Sequence, residues 1–190
     1  HSLGGLVARL ALGRQRTERI TRVVQLGAPN HGSYAPVLAL RGVYPTVRKL
    51  AAIDRRHTAE ELARIVFRTL PALHELLPDP ALTGGADLFD AKSWPDDPLR
   101  PDPQQLLAAR QERARWPGSD DRCLVIAGVR QETVTSLTST GSEFDFGLTR
   151  QGDGTVPVAL AVRPGEPAWF VGEKHGGLPN NGRVIAAVVD

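Results

Sequence analysis

Methionine is absent from the 190 residues, cysteine occurs once, and aromatic side chains make up only 5%. Lysine is scarce as well: positive charge is carried by arginine, with only Lys49, Lys92 and Lys174 besides. The lone Cys123 excludes an intrachain disulfide and any cysteine-based metal cluster. Its apolar, strand-like neighbours, RCLVIAGV, predict a buried and inert thiol. No apolar run approaches the ~18 residues that a membrane-spanning helix needs, so no transmembrane segment is expected. The net charge is only +2, and no Lys/Arg block or aromatic-basic stripe breaks the surface pattern, so a nucleic-acid partner is not expected either. His31, His57, His74 and Asp153 show no metal-ligand spacing, and neither a metal nor another cofactor is called for.

What remains is a chain that is 41% apolar, enough for the core of one ordinary domain. It opens on HSLGGLVARLAL, with no methionine in front of it. We expect this opening to lie inside a functional motif, preceded in a longer chain by the strand that feeds Ser2 and with room there for further domains. Residues 3–13 have helical spacing that puts Leu3, Leu6, Val7, Leu10 and Ala11 on one face, with Gly13 as the stop. ITRVVQLG (20–27) is β-branched and ends on Gly-Ala-Pro, as a buried strand does. From 35 to 118 the character changes: helix-like patches at 58–70 and 101–116 alternate with Pro/Asp-rich turns, the pattern of an inserted helical cap. Strand character returns at 121–137. A polar stretch follows, then QGDGTVP, a short strand at 168–173, the loop KHGGLPNNG and a last helix-like run. The alternation predicts an α/β fold with a doubly wound parallel sheet, its core formed by 1–34 and 119–190. An isolated strand 20–26 would present an open β-branched edge, so residues 1–190 are not expected to fold as an independent unit.

A serine hydroxyl becomes a nucleophile when a base takes its proton. One way to present it is a strained strand-to-helix turn flanked by small residues, written G-x-S-x-G. His1-Ser2-Leu3-Gly4 reproduces its last four positions, and Gly5 follows. The backbone N–H of Leu3 is then the expected oxyanion donor. The competing reading makes Ser2 a plain helix N-cap. An elbow serine requires an acid and then a histidine further along the chain. His175, in a Gly-rich loop after a strand, has both the place and the order. Asp153, between two glycines in QGDGTVP, is the candidate acid; Asp145 in EFDFG is its rival, and a simple Gly-Asp-Gly turn is the bland alternative. His1 should pack beside the serine turn, and His31, in APNHGS, should line the pocket or tighten its loop. His57 and His74 fall in the helical insert.

With these residues in place, HSLGGLVAR, VVQLGAPNHGS, LHELLP, DLFDAKSW, QGDGTVP and EKHGGLP together resemble the α/β-hydrolase lipases, and among them the lecithin:cholesterol acyltransferase-like and GPI-inositol-deacylase-like branch. The resemblance implies Ser2 as nucleophile, Asp153 as acid and His175 as base. It implies a helical lid at about 35–118 and a lipid or other ester substrate. The family's second oxyanion donor comes from an upstream loop that this sequence does not contain. An acyltransferase would use the same residues. A non-catalytic module within a larger protein is the alternative from another class, and such modules usually lose a member of the triad.

Overall fold

The computed structural model describes residues 1–14 and 17–189. In chain order the elements are α1 (Leu3–Leu12), β1 (Val23–Leu26), α2 (Ala35–Leu40), α3 (Pro45–Asp54), α4 (Ala59–Ile65), α5 (Pro71–Glu75), α6 (Pro80–Thr83), α7 (Pro103–Arg113), β2 (Cys123–Gly128), β3 (Thr133–Ser139), β4 (Phe144–Thr149), α8 (Val158–Ala161), β5 (Ala168–Val171) and α9 (Gly182–Val189). Short 3-10 turns occupy Phe67–Thr69, Ala91–Ser93 and His175–Asn180. The fold is mixed α/β and divides into two compact units.

The first unit comprises His1–Ser33, Trp116–Thr135 and Leu148–Asp190. Its sheet is parallel, in the order β1-β2-β5, with Val23 opposite Cys123 and Val125 opposite Ala168. Every residue of β2, CLVIAG, is buried, as expected of a central parallel strand covered on both faces. Side chains alternate along β1. Gln25 points to α1, where its amide donates to the Gly5 carbonyl at 2.6 Å. Val24 and Leu26 join Ile126, Val171, Leu178 and Val184 of α9 in an apolar cluster on the opposite face. Cys123 is buried, and desolvation pushes its thiol above its ordinary value.

The buried face of α1 departs from the spacing argument. Gly5, Leu6, Arg9 and Leu12 are buried, whereas Leu3, Val7 and Leu10 are exposed. Two constraints rotate the helix. A Cβ on Gly5 would lie 2.6 Å from the Ala28 Cβ, so this position touches β1's connection directly. Arg9 is itself buried and uses all five of its N–H groups. They reach Glu166 twice (2.5 and 2.7 Å), Gln25 (2.7 Å), Asn30 (3.1 Å) and the Gly118 carbonyl (3.2 Å). Asn30 in turn donates to Gln25 and to the Ala161 carbonyl, and Glu166 accepts from the Asp120 N–H.

The second unit is Tyr34–Arg115 together with Ser136–Gly147. Five of its helices carry proline in the first turn, where the missing N–H costs nothing. Thr58 closes a capping box with Glu61, and Asp102 caps α7 by accepting from Gln104 and Gln105. The core gathers Val37, Leu40, Val47, Leu77, Leu88 and Leu106. The Trp94 indole donates to the Leu88 carbonyl at 2.8 Å.

Several boundaries differ from the sequence-based ones. The expected helix 58–70 ends at Ile65 and resumes as a 3-10 turn. The strand pattern 121–137 is two strands, because the chain turns at Arg130 with φ 68°. The polar stretch after it is β4, paired with β3 across a turn at Gly141 (φ 94°). The far part of this hairpin belongs to the helical unit, not to the sheet unit as expected, because Phe144 packs edge-on against Trp94 with ring centroids 5.6 Å apart.

Removing one partner of a buried ion pair leaves the other charge stranded. Arg9→Ala or Glu166→Ala should therefore lower stability by about 3–5 kcal/mol. The double change Arg9→Met/Glu166→Leu should recover most of that loss in urea unfolding. A second expectation concerns His74 on α5. Burial holds this imidazole below its ordinary value of 6.5. Above that pH both folded and unfolded states carry it neutral. As pH falls through 6.5 the unfolded chain takes up a proton that the folded chain refuses, so stability drops. His74→Leu should flatten that acid limb of the stability–pH curve.

Candidate active site

Ser2 stands immediately before α1 with φ 54° and ψ −131°. This backbone region is nearly reserved for glycine and costs about 1–3 kcal/mol for other residues. A helix N-cap normally has extended backbone and lends its side-chain oxygen to the first turn. Ser2 does neither: it makes no side-chain cap. Its N–H donates to the Leu26 carbonyl at 2.9 Å, pinning the turn to the end of β1, and its Oγ lies 3.0 Å from His175 Nε2.

The imidazole of His175 is held at each of its polar atoms. Nδ1 donates to Asp153 Oδ2 at 2.8 Å, which leaves Nε2 of the neutral ring to accept from the Ser2 hydroxyl. The main-chain N–H of His175 donates to the Asp153 carbonyl at 2.8 Å. The His175 side chain is 16% exposed and the Asp153 side chain 1%. The second carboxylate oxygen of Asp153 accepts from the N–H groups of Thr155 (2.9 Å) and Val156 (2.7 Å). An oxygen so occupied cannot rotate away, and the free one faces the ring. Asp145 sits exposed on β4 in the other unit and has no part in this chain of bonds.

Ser2, Asp153 and His175 meet at the carboxyl ends of the parallel strands, where loops of such sheets carry function. Leu3 is the first residue of α1, so its N–H has no partner within the helix. Helix N-terminal amides of this kind favour negative charge. His1 lies beside the elbow: its Nε2 is 2.9 Å from the His175 carbonyl, and the two rings are 4.8 Å apart at 43°. His31 sits on the loop after β1, its N–H bonded to the Leu160 carbonyl at 2.8 Å. His57 pairs with Asp54 at 2.6 Å and His74 is buried on α5, both in the helical unit. Among the described residues no cluster of His, Cys, Asp and Glu could hold a metal, and no helix is long and apolar enough to cross a membrane.

Several residues that hold the site in place carry no chemical signature of their own. A Cβ on Gly27 (φ 55°) would lie 2.9 Å from Asp153 Oδ2 and 3.1 Å from His175 Nδ1. A Cβ on Gly128 would lie 2.5 Å from the Asp153 Cβ. Gly27 follows β1 and Gly128 ends β2, and both clear the space in which Asp153 and His175 meet. Thr133 Oγ1 accepts from the Gly154 N–H at 2.8 Å and so fixes the Asp153 turn. Glu173 accepts from the Lys174 N–H and from Asn181 at 3.0 Å, clasping the histidine loop. The Asn181 and Lys174 donors hold the Glu173 carboxyl below its ordinary value. The sequence signals were a glycine closing a β-branched run and an amide-rich end to KHGGLPNNG; neither names a partner. A Gly4 side chain would meet nothing within 4 Å, so the tight approach falls on Gly5, not on the motif's own glycine.

Compared with known proteins, the chain matches no family model and no curated sequence.

Gly27→Ala combines a disfavoured φ with close approach to Leu178 (2.8 Å) and to the Asp153–His175 pair. It should lower stability by about 1–3 kcal/mol in urea unfolding, and it should weaken the His175 Nδ1–H···Asp153 bond, read as an upfield shift or loss of that proton's NMR signal relative to the parent.

Proposed function

We propose that this protein is a serine esterase of the lipase type, built on an α/β-hydrolase fold whose helical unit is the inserted cap. The observation that carries the proposal is the continuous chain from Ser2 Oγ through His175 to Asp153, at 3.0 and 2.8 Å, with the serine on a strained turn into a helix. Serine proteases on other folds use the same arrangement, but here the order Ser–Asp–His and the strand-to-helix elbow favour the hydrolase family named above.

In the proposed reaction Ser2 Oγ attacks the ester carbonyl while His175 Nε2 takes the hydroxyl proton. The oxygen of the tetrahedral intermediate gathers its charge near the Leu3 N–H, and Asp153 steadies the imidazolium. His175 then returns the proton to the departing alcohol, leaving an acyl-serine. Water, deprotonated by the same nitrogen, attacks that acyl group; the acid departs and Ser2 regains its proton. Support for an apolar acyl chain comes from the helical unit, which exposes Leu50, Ile53, Ile65, Val66, Leu70 and Leu107. Exposed apolar side chains on an inserted helical unit suit a lipid-like substrate.

Active-site titration tests this reading. A fluorophosphonate probe should label the protein, and Ser2→Ala should abolish labelling and lower kcat by about 10⁴–10⁶. On a series of p-nitrophenyl esters, medium or long acyl chains should be preferred to acetate, and free acid should appear without an added alcohol acceptor. Unchanged labelling of Ser2→Ala, or cleavage of peptides alone, would overturn it.

A further inference from the structure

His175 has four polar atoms, and the proposed triad accounts for three of their contacts. The side-chain nitrogens meet Asp153 and Ser2, and the main-chain N–H meets the Asp153 carbonyl. The fourth, the carbonyl oxygen, is met by His1 Nε2 at 2.9 Å. A carbonyl only accepts, so the proton of this bond sits on His1 Nε2, which fixes the tautomer of His1. The same ring leans on the His175 imidazole with centroids 4.8 Å apart. His1 adjoins the nucleophile in sequence and reaches the base in space. Its bond therefore spans the two segments whose spacing sets the 3.0 Å between Ser2 Oγ and His175 Nε2.

From this geometry we infer that His1 is a positioning residue: its Nε2–H ties the histidine loop to the serine elbow and holds the base at proton-transfer distance. The inference rests on the esterase reading and adds a residue to it. The histidine loop is open to solvent, with Lys174, Gly176, Pro179 and Asn180 exposed. The clasp of Glu173 on Asn181 closes that loop on itself. The His1 bond joins the loop to the elbow alongside the reacting pair itself. Loosening it would leave the imidazole bonded to Asp153 while its distance to the serine wanders. A misplacement of about 1 Å can lower a rate about 100-fold.

The experiment compares His1→Phe, which keeps a ring against His175 and loses the donor, with His1→Gln, whose amide N–H can reach the same carbonyl. Acylation by p-nitrophenyl ester and phosphonylation by fluorophosphonate are measured beside urea unfolding, with Ser2→Ala as reference. The expected result is a roughly 10- to 100-fold lower kcat for His1→Phe at unchanged KM and unfolding midpoint, with His1→Gln within a few-fold of the parent. Parent-like kcat in His1→Phe, or equal losses in both variants, overturns the positioning role. So does a fall in folding stability that parallels the activity, since that would make His1 a packing residue. Retained labelling in Ser2→Ala would instead remove the nucleophile, and the esterase reading with it.

Discussion

A single buried guanidinium holds the sheet unit in register. Arg9 joins α1 to β1 through Gln25, to the loop after β1 through Asn30, to the turn before β2 through Gly118, and to the segment before β5 through Glu166. Taking such a charge out of water is costly unless its donors are matched, and here all five are. The planar, fork-like geometry also makes the match directional. A helix held by apolar contacts alone could rotate or slide by a fraction of a turn; one held at Arg9 cannot without stranding a charge. Ser2 lies two turns up the same helix, so the orientation of the elbow follows from a contact that never touches it.

The carboxyl ends of the strands impose the second constraint. Ser2, Asp153 and His175 converge where β1 and β2 finish, and a parallel sheet spaces its strands only ~4.8 Å apart. Side chains on the last strand residues would fill that space. Gly27 and Gly128 leave it empty, and the Asp153 turn and the His175 loop occupy what they vacate. The two demands act in series: the arginine network sets the height of the serine, and the strand-end glycines set how closely the imidazole approaches it.

These causes differ in how far they show in the sequence. Ser2, Asp153 and His175 could be picked out because each sits in a short motif of characteristic composition. Small residues surround a turn, glycines flank an exposed carboxylate, and a histidine follows a strand. Their meeting within hydrogen-bond reach is a local consequence of chain order on a parallel sheet. The buried face of α1 could not be read this way. Spacing alone favours the leucine stripe, and nothing near Arg9 announces Glu166, which lies 157 positions away. The β4 half of the hairpin was hidden for a related reason: it follows the polar turn at Gly141, and what anchors it is Phe144 against Trp94, a contact between distant positions. Residues defined by their own chemistry were legible, and those defined by a distant partner were not.

Ser2 also shows how a broken local rule can carry information. Thr58, Asp79, Asp90 and Asp102 each stand at a helix start with extended backbone and cap it with a side-chain oxygen. Serine is as good a cap as any of them, yet Ser2 holds a backbone conformation meant for glycine and turns its hydroxyl away from the amides in front of it. The capping bond it forgoes and the backbone strain it carries both count against folding. Each becomes intelligible together with the other end of the hydroxyl's bond, at His175. With no side chain capping it, the first turn of α1 keeps its partial positive charge beside the same oxygen. A residue that only began a helix would have no reason to leave that end uncapped; one whose oxygen is held 3.0 Å from an imidazole nitrogen, as the proposed esterase reaction requires, does.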